Sequence, residues 1–85
     1  MNLKQMEYFV AAAEQLNFTR AARQCFISQT AMTLQIQSLE EKVGVPLFVR
    51  DKHHVELTAA GKVYLKEARA ILIRAEEAAK LARTA

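Results

Sequence analysis

The chain has 85 residues, of which 52% are hydrophobic and 25% charged, and 12 lysines and arginines against 9 aspartates and glutamates give it a formal net charge of +3. This length suits one small domain and excludes dinucleotide-binding and TIM-barrel folds, and with them most enzymes that need a deep buried pocket. The single cysteine cannot form an internal disulfide, no apolar run approaches the roughly 20 residues of a membrane span, and no signal peptide opens the chain, so we expect a cytoplasmic protein with no membrane partner.

The first half of the chain is predicted to begin with two helices. Asn2 is a suitable N-cap for a first helix, because apolar residues repeat at helical spacing from Leu3 to Leu16. Thr19 is expected to cap a short second helix over residues 20–25. Phe26 and the isoleucine after it are expected to form an apolar turn.

A third helix, a hairpin and a long fourth helix are predicted to follow. Ser28 is a strong N-cap for the third helix, and Gly44 with the proline two residues later ends it. Two short β-prone runs, 47–50 and 55–57, read as a hairpin, and Thr58 caps a last helix that continues nearly to the end. The predicted order is therefore helix, helix–turn–helix, hairpin and long helix, a mainly α fold.

The acidic residues are distributed unevenly. None lies between Glu14 and Glu40, where the only charges are Arg20 and Arg23 among threonines, serines and glutamines. A surface without carboxylates that can both donate and accept hydrogen bonds suits a nucleic acid. A neutral polar face with no partner is the alternative that this feature alone leaves open.

The third helix has a polar face opposite its apolar positions Met32, Ile36 and Leu39. Glutamine can pair with adenine, threonine can bond base edges or phosphates, and an apolar side chain can cover a thymine methyl or, alternatively, pack against a neighbouring element. The candidate base contacts, called here the base-facing set, are Gln29, Thr30, Thr33, Leu34 and Gln37. Thr19, Arg20 and Arg23 on the preceding helix are candidates for the DNA backbone.

The last helix carries an apolar stripe at the three- and four-residue spacing of a coiled coil. A helix of roughly 25 residues spans nearly 40 Å, which is more than a domain of this size can cover, so we expect a homodimer through this stripe. In the alternative, its first half packs on its own domain and the rest frays. The residues of the stripe are Tyr64, Leu65, Ala68, Ile71, Leu72, Ala75, Ala79 and Ala82.

Other chemical sites are not supported by the sequence. His53 and His54 have no carboxylate or cysteine cluster beside them to complete a zinc site, and Cys25 reads as a small buried residue rather than a nucleophile. Glu40 and Glu41 read as a solvated helix face, neutralised by Lys42 or Arg50. We therefore expect no enzyme activity, no metal and no cofactor.

Several ordered motifs along the chain resemble one family of bacterial proteins. The chain is similar to the N-terminal DNA-binding domain of LysR-type transcriptional regulators from Leu3 to about Ala70. The motifs that carry the resemblance are Phe18-Thr19-Arg20-Ala21-Ala22, Ile27-Ser28-Gln29-Thr30-Ala31, Gln35-Ile36-Gln37-Ser38-Leu39-Glu40-Glu41, Gly44-Val45-Pro46-Leu47-Phe48-Val49-Arg50 and Leu57-Thr58-Ala59-Ala60-Gly61.

The resemblance implies a winged helix–turn–helix over residues 1–58 and a linker or dimerisation helix over 59–85. It implies that the third helix enters the major groove of double-stranded DNA, that the hairpin is a wing at the minor groove, and that a dimer binds a roughly palindromic operator. It further implies a possible tetramer of the intact protein and a small-molecule effector bound by a C-terminal domain that this chain lacks. The resemblance places Thr19, Arg20, Ser28, Arg50 and Thr58 at the DNA backbone. The full set of candidates for the DNA backbone or wing is Thr19, Arg20, Arg23, Ser28, Arg50, Lys52, His53, His54 and Thr58.

Three departures from the family pattern bear on DNA reading. Thr30 stands where the family usually has proline, and Leu34 stands where arginine is common, which shifts the expected preference toward thymine-containing steps. His53 and His54 occupy a wing tip that is often rich in arginine, so DNA affinity is expected to rise between about pH 8 and 6. The alternative function is a helical protein-interaction module with no nucleic-acid role, which would have no reason to lack carboxylates over residues 15–39.

Overall fold

In a computed structural model, which describes residues 1–51 and 53–85, the chain forms four helices and one two-stranded antiparallel sheet. The elements are α1 Leu3–Gln15, α2 Phe18–Gln24, α3 Gln29–Val43, β1 Phe48–Arg50, β2 Val55–Leu57 and α4 Ala59–Arg83. The predicted order of elements and the mainly α, winged helix–turn–helix fold are confirmed.

Three of the predicted helix caps are formed as expected. The side-chain oxygens of Asn2, Ser28 and Thr58 each accept a hydrogen bond from the backbone N–H three residues on, at 2.8, 3.0 and 2.9 Å. Each satisfies an N–H group that the first helical turn leaves without a partner. Gly44 ends α3 with a φ of +92°, in the left-handed region that favours glycine.

The start of α2 differs from the prediction. Asn17, not Thr19, is the N-cap, because its Oδ1 accepts from the backbone N–H of Arg20 at 2.9 Å. Asparagine is a stronger N-cap than threonine, and the earlier start turns the buried ring of Phe18 into the core. The helix therefore runs Phe18–Gln24, and the hydroxyl of Thr19 is released for another contact.

The turn between α2 and α3 is a Schellman motif built without glycine. The N–H of Ile27 donates to Ala22 O at 3.0 Å and that of Phe26 donates to Arg23 O at 3.1 Å. Phe26 takes the left-handed position with a φ of 59°, and 95% of its surface is exposed. A residue with a Cβ is strained in this conformation, so the turn stores unfavourable backbone energy.

The core lies between α1, α2, α3, the first half of α4 and the first residues of the wing. Phe48 at the start of β1 packs its ring against Phe9 of α1 and Phe18 of α2, with ring centroids 5.4 and 5.2 Å away. Aromatic pairs at such separations stabilise packing beyond the area they bury. The root of the hairpin is thereby anchored to the helical core. The largest fully buried side chains are Phe9, Met32, Ile36, Leu39 and Leu47.

The hairpin pairs β1 with β2 in a register that sets Phe48 opposite Leu57 and Arg50 opposite Val55. The tip closes with a backbone hydrogen bond of 3.0 Å from Asp51 N to His54 O. Because alternate side chains of a strand point to opposite faces, Phe48 is buried while Val49 is exposed.

The first half of α4 belongs to the helical core. Ala68 is fully buried in the core cluster, and Tyr64, Leu65 and Leu72 are partly buried against it. Ala68 is therefore not available to a second chain, which corrects its assignment to the dimer stripe. The approach is close because Gly61 lies against the carbonyl of Leu47, where a Cβ atom would collide with the oxygen.

Candidate nucleic-acid interface

The base-facing set lies on the solvent side of α3. Met32, Ile36 and Leu39 point into the core, and the opposite face carries the five residues that the sequence singled out. Gln29, Thr30, Leu34 and Gln37 are exposed, and Thr33 is half-buried. The structure therefore brings the candidate base contacts together on one accessible face.

Gln29 at the start of α3 is held by a residue of α2. The Oγ1 of Thr19 donates to the Oε1 of Gln29 at 2.9 Å. The side-chain NH₂ group of Gln29 keeps its capacity to donate to a ligand. Thr19, which the sequence assigned to the DNA backbone, thus contacts a member of the base-facing set.

A cleft of about 420 Å³ separates the start of α3 from the wing. Gln29 and Thr33 line one side, and His53 and His54 of the wing tip line the other. Asp51 also lines this cleft, and its Oδ1 accepts from the backbone N–H of His53 at 2.9 Å. The tertiary fold therefore joins two groups of residues that the sequence placed at different parts of a DNA site.

Arg50, expected at the DNA backbone, contacts two other elements of the domain. Its Nη2 donates to Glu40 Oε1 at 3.1 Å, and its guanidinium lies 4.9 Å from the ring centroid of Phe18. The arginine side chain is 30% exposed and that of Glu40 is 15% exposed. Arg50 thus joins β1 to α2 and α3, and its contact with the DNA backbone stays a prediction.

Glu40 is a structural residue that the sequence analysis missed. Its Oε2 accepts from the backbone N–H groups of Leu47 and Phe48, at 2.7 and 3.2 Å, in addition to the contact with Arg50. The prediction of a solvated face is therefore wrong for Glu40, while its pairing with Arg50 is correct. No local pattern reveals the role of Glu40, because its backbone partners lie seven and eight residues further along the chain.

Four other residues assigned to the DNA backbone differ in exposure and in whether their polar hydrogens are already bonded within the domain. Arg20 and Arg23 are exposed on α2. Ser28 is exposed, and its Oγ accepts the capping bond as an oxygen, so its hydroxyl hydrogen can still be donated. The hydroxyl of Thr58 donates to Pro46 O at 2.8 Å while it caps α4, so its hydrogen is committed within the domain.

The two histidines of the wing tip are exposed and chemically distinct. His54 Nε2 lies 2.9 Å from Glu56 Oε1, and this hydrogen bond raises the pKa of His54 above its ordinary value of 6.5. Protonated His54 therefore shares its charge with a neighbouring carboxylate. Lys52, also expected at the wing, lies outside the described residues.

The rest of the dimer stripe lies on the distal part of α4. Ile71 and Ala82 are exposed, and Ala75 and Ala79 are half-buried. Ile73 and Leu81, which the sequence analysis did not include, are also exposed large apolar residues on this helix. The helix has 25 residues, and the chain extends 50 Å along its longest axis against 26 and 19 Å along the others.

The described residues lack the features of a metal site, of a reactive cysteine and of a membrane-spanning helix. No group of three or more histidine, cysteine, aspartate or glutamate side chains that could hold a metal occurs among these residues. Burial raises the pKa of the Cys25 thiol, which opposes formation of the nucleophilic thiolate. None of the described helices has the length and apolar character required to cross a membrane.

The fold and the accessible α3 face define a winged helix–turn–helix protein, and the comparison with known families specifies which kind. The family described as "Bacterial regulatory helix-turn-helix protein, lysR family" matches residues 3–62. The chain belongs to this LysR family.

Its relatives and structural neighbours are transcriptional regulators. The chain is 54% identical over 83 residues to the Hca operon transcriptional activator HcaR of Escherichia coli K12, covering 98% of this chain and 28% of the relative. It is 51% identical over 77 residues to a probable cat1 operon transcriptional activator of Acinetobacter lwoffii, covering 91% and 25%. The chain thus spans about a quarter of the length of these curated relatives.

A solved complex with DNA closely matches the fold. The crystal structure of the CbnR DBD–DNA complex superposes with a TM-score of 0.96 at 40% identity, over 99% of this chain and 97% of that chain. The structure of full-length CbnR complexed with its target DNA gives a TM-score of 0.95 at 41% identity, over 100% and 30%. The similarity therefore extends over α4 as well as over the helix–turn–helix.

Proposed function

We propose that this chain is the DNA-binding module of a cytoplasmic LysR-type transcriptional regulator. The observation that carries the proposal is the accessible face of α3, which presents the base-facing set beside the wing tip across one cleft. Family membership and the match to a DNA complex support it. The chain segment that forms α2 and most of α3 contains no carboxylate between Glu14 and Glu40, as a surface approaching phosphates requires.

The geometry suits insertion of α3 into a major groove. An α-helix fits the width of that groove, and its exposed glutamine and threonine side chains can bond base edges. The wing stands beside the N-terminal half of α3, so it reaches the backbone or minor groove next to the base pairs that α3 contacts. Arg20, Arg23 and Ser28 are the proposed phosphate contacts, since the two arginines are exposed on α2 and Ser28 is exposed at the start of α3.

The distal half of α4 is the proposed dimer contact. A helix of 25 residues is about 37 Å long, and its first half alone is needed to complete the core. Ile71 is 42% exposed, and the small residues Ala75, Ala79 and Ala82 permit a close approach of a second helix. A dimer would bind two half-sites of a roughly palindromic operator.

Two further parts of the proposal concern the intact regulator. The curated relatives that match are about three to four times as long as the matched segment. We propose that the intact protein binds a small-molecule effector through a separate domain and can associate beyond a dimer. Equilibrium binding of candidate effectors to the intact protein, with and without operator DNA, tests this part.

The test of DNA binding is a salt titration on the chain as it stands. Binding to a pool of random-sequence duplexes, followed by fluorescence anisotropy, is expected to weaken steeply as salt rises, because phosphate contacts release counterions. Arg20→Ala is expected to weaken all sequences alike and to reduce the salt slope by about 1 for each contact removed.

Arg74→Ala is the matched control, because it removes the same charge from an exposed position on α4, where the arginine pairs only loosely with Glu77 at 3.9 Å. It is expected to leave the salt slope unchanged. Two results would contradict the proposal and favour the protein-interaction module. One is an equal change of the salt slope in Arg20→Ala and Arg74→Ala, and the other is DNA binding that excess competitor DNA removes completely. Sedimentation equilibrium of the parent chain and of Ile71→Arg tests the dimer. If both proteins sediment as monomers, the proposed dimer is excluded.

A further inference from the structure

Leu34 is an exposed apolar side chain within an otherwise polar reading face. It is 59% exposed, so the described parts of the domain do not cover it. It lines a hollow of about 400 Å³ on the surface of α3 together with Gln29, Thr30 and Thr33. An exposed leucine side chain is stabilised when another apolar group covers it and removes it from water.

The major groove offers one apolar group of suitable size. Among the four bases, only thymine carries a methyl group at the groove surface, next to its O4 acceptor. Guanine and adenine present polar atoms at the corresponding edge, and cytosine presents an amino donor. A leucine in the reading face therefore discriminates for thymine through the 5-methyl group rather than through a hydrogen bond.

Gln29 at the other side of the hollow is oriented toward donation. Its Oε1 accepts from Thr19 Oγ1 at 2.9 Å, and its NH₂ group keeps its capacity to donate. A glutamine that pairs with adenine uses both its oxygen and its nitrogen. With one lone pair of the oxygen occupied by Thr19, the NH₂ group can donate to a base that presents an acceptor, such as O4 of thymine or N7 of a purine.

We propose that the hollow of α3 is a thymine-reading subsite, in which Leu34 covers the 5-methyl group and Thr19 positions Gln29 to donate to an adjacent base. This inference rests on the proposed insertion of α3 into the major groove. Thr30 lies one helical turn before Leu34, so its hydroxyl is placed beside the same base and can donate to O4. Thr19 acts as a positioning residue through Gln29.

The test begins with duplexes that the 85-residue chain selects from a random-sequence library. Each thymine of the selected site is then replaced singly by uracil, which lacks only the 5-methyl group. One thymine in each half-site is expected to show an affinity loss of about fourfold, the effect of uncovering one methyl group. The other replacements are expected to change affinity little.

Three variants assign the effect to named side chains. Leu34→Ala is expected to bind thymine and uracil duplexes equally, while Leu34→Met, which keeps the apolar volume, is expected to retain the discrimination. Thr19→Val is expected to relax the preference at one neighbouring base pair without changing the uracil effect. Thermal melts of all three are expected to match the parent, because Leu34 is exposed and Thr19 only half-buried.

The outcomes separate this inference from the function on which it depends. Selection of a sequence with no uracil-sensitive position, or the same sensitivity in Leu34→Ala, would overturn the thymine subsite and leave DNA reading intact. An unchanged base preference in Thr19→Val would overturn the positioning role of Thr19. Failure to select any sequence would overturn both the subsite and the proposed function.

Discussion

Removal of the Glu40 carboxylate is expected to loosen the junction between α3 and the wing. The carboxylate accepts from Leu47 N at 2.7 Å, from Phe48 N at 3.2 Å and from Arg50 Nη2 at 3.1 Å. Leu47 is fully buried, so its backbone N–H cannot find water as a replacement partner without local opening. Glu40→Ala therefore leaves a buried donor without an acceptor.

The size of the effect follows from these contacts. A hydrogen bond to a charged group contributes roughly 1.5–3 kcal/mol, and a buried donor left unpaired costs about 1–3 kcal/mol. The contacts share one carboxylate and do not add, so we expect Glu40→Ala to lower the free energy of unfolding by about 3 kcal/mol. For a domain of this length, each kcal/mol corresponds to a fall in Tm of about 4–8 °C.

The assay is urea unfolding followed by far-ultraviolet circular dichroism. All proteins must be compared at one concentration, because self-association stabilises the folded state by mass action. An unchanged m value with a lower midpoint would show that stability, rather than the extent of unfolding, has changed. Glu40→Gln keeps one acceptor oxygen and loses the charge, so about 1 kcal/mol is expected.

Glu41→Ala is the matched control. Glu41 is exposed on the same helix turn, so its removal is expected to change stability by no more than about 0.5 kcal/mol. Arg50→Ala removes one ion pair and one cation–π contact and should cost about 1 kcal/mol. The reasoning is refuted if Glu40→Ala is no more destabilising than Glu41→Ala.

Three further predictions concern the backbone and the wing. Gly61→Ala is expected to destabilise the fold by about 3 kcal/mol in the same assay, because the added Cβ collides with the carbonyl of Leu47. Phe26→Gly is expected to raise stability by about 1 kcal/mol, measured as a higher Tm, because it relieves a left-handed φ of 59° at a side chain that is 95% exposed. NMR titration is expected to give a pKa of His54 above 6.5, which Glu56→Gln lowers. Because the folded pKa is raised, stabilisation by this pair is fully present below about pH 6.5 and is lost as pH rises through the folded pKa.

Each of these predictions has a clear contrary result. Alanine is the better helix former, so stabilisation by Gly61→Ala would mean that α4 does not approach the wing root so closely. A lower Tm for Phe26→Gly would indicate that the exposed ring makes a contact in solution, such as one with a second chain. A His54 pKa that is not raised would contradict its pairing with Glu56. DNA affinity that does not rise on acidification would contradict the proposed role of the wing histidines.

Much of the fold follows from local patterns in the sequence. The caps at Asn2, Ser28 and Thr58 and the stop at Gly44 are formed as predicted, because each uses a short-range bond or a backbone angle that its residue type favours. The family was also identifiable, since its motifs occur in order over most of the chain. The α2 start at Asn17 was missed because two adequate capping residues stand two positions apart.

The sequence predicted which residues belong to the site better than it predicted how they are arranged. The face of α3 follows from helical periodicity, so its exposed residues could be identified without coordinates. The bond between Thr19 and Gln29 joins side chains ten residues apart, and it depends on how α2 crosses α3. The sequence offered Arg50 as one of two partners for the Glu40–Glu41 pair, but residue types alone could not show that its guanidinium also lies over the ring of Phe18.

The last helix, α4, shows most clearly which features follow from the sequence and which depend on tertiary packing. Its length and apolar spacing are properties of the sequence, and both are observed. Which of its apolar residues face the domain and which face outward was decided by the packing of α4 on the core, where Ala68 is buried and Ile71 stays exposed. Periodicity defines a stripe but not its partner, because burial against the same chain and burial against a second chain require the same pattern of residues. The sequence by itself therefore determined the elements, their caps and the family, while the tertiary structure decided which polar groups are used internally and which remain for DNA.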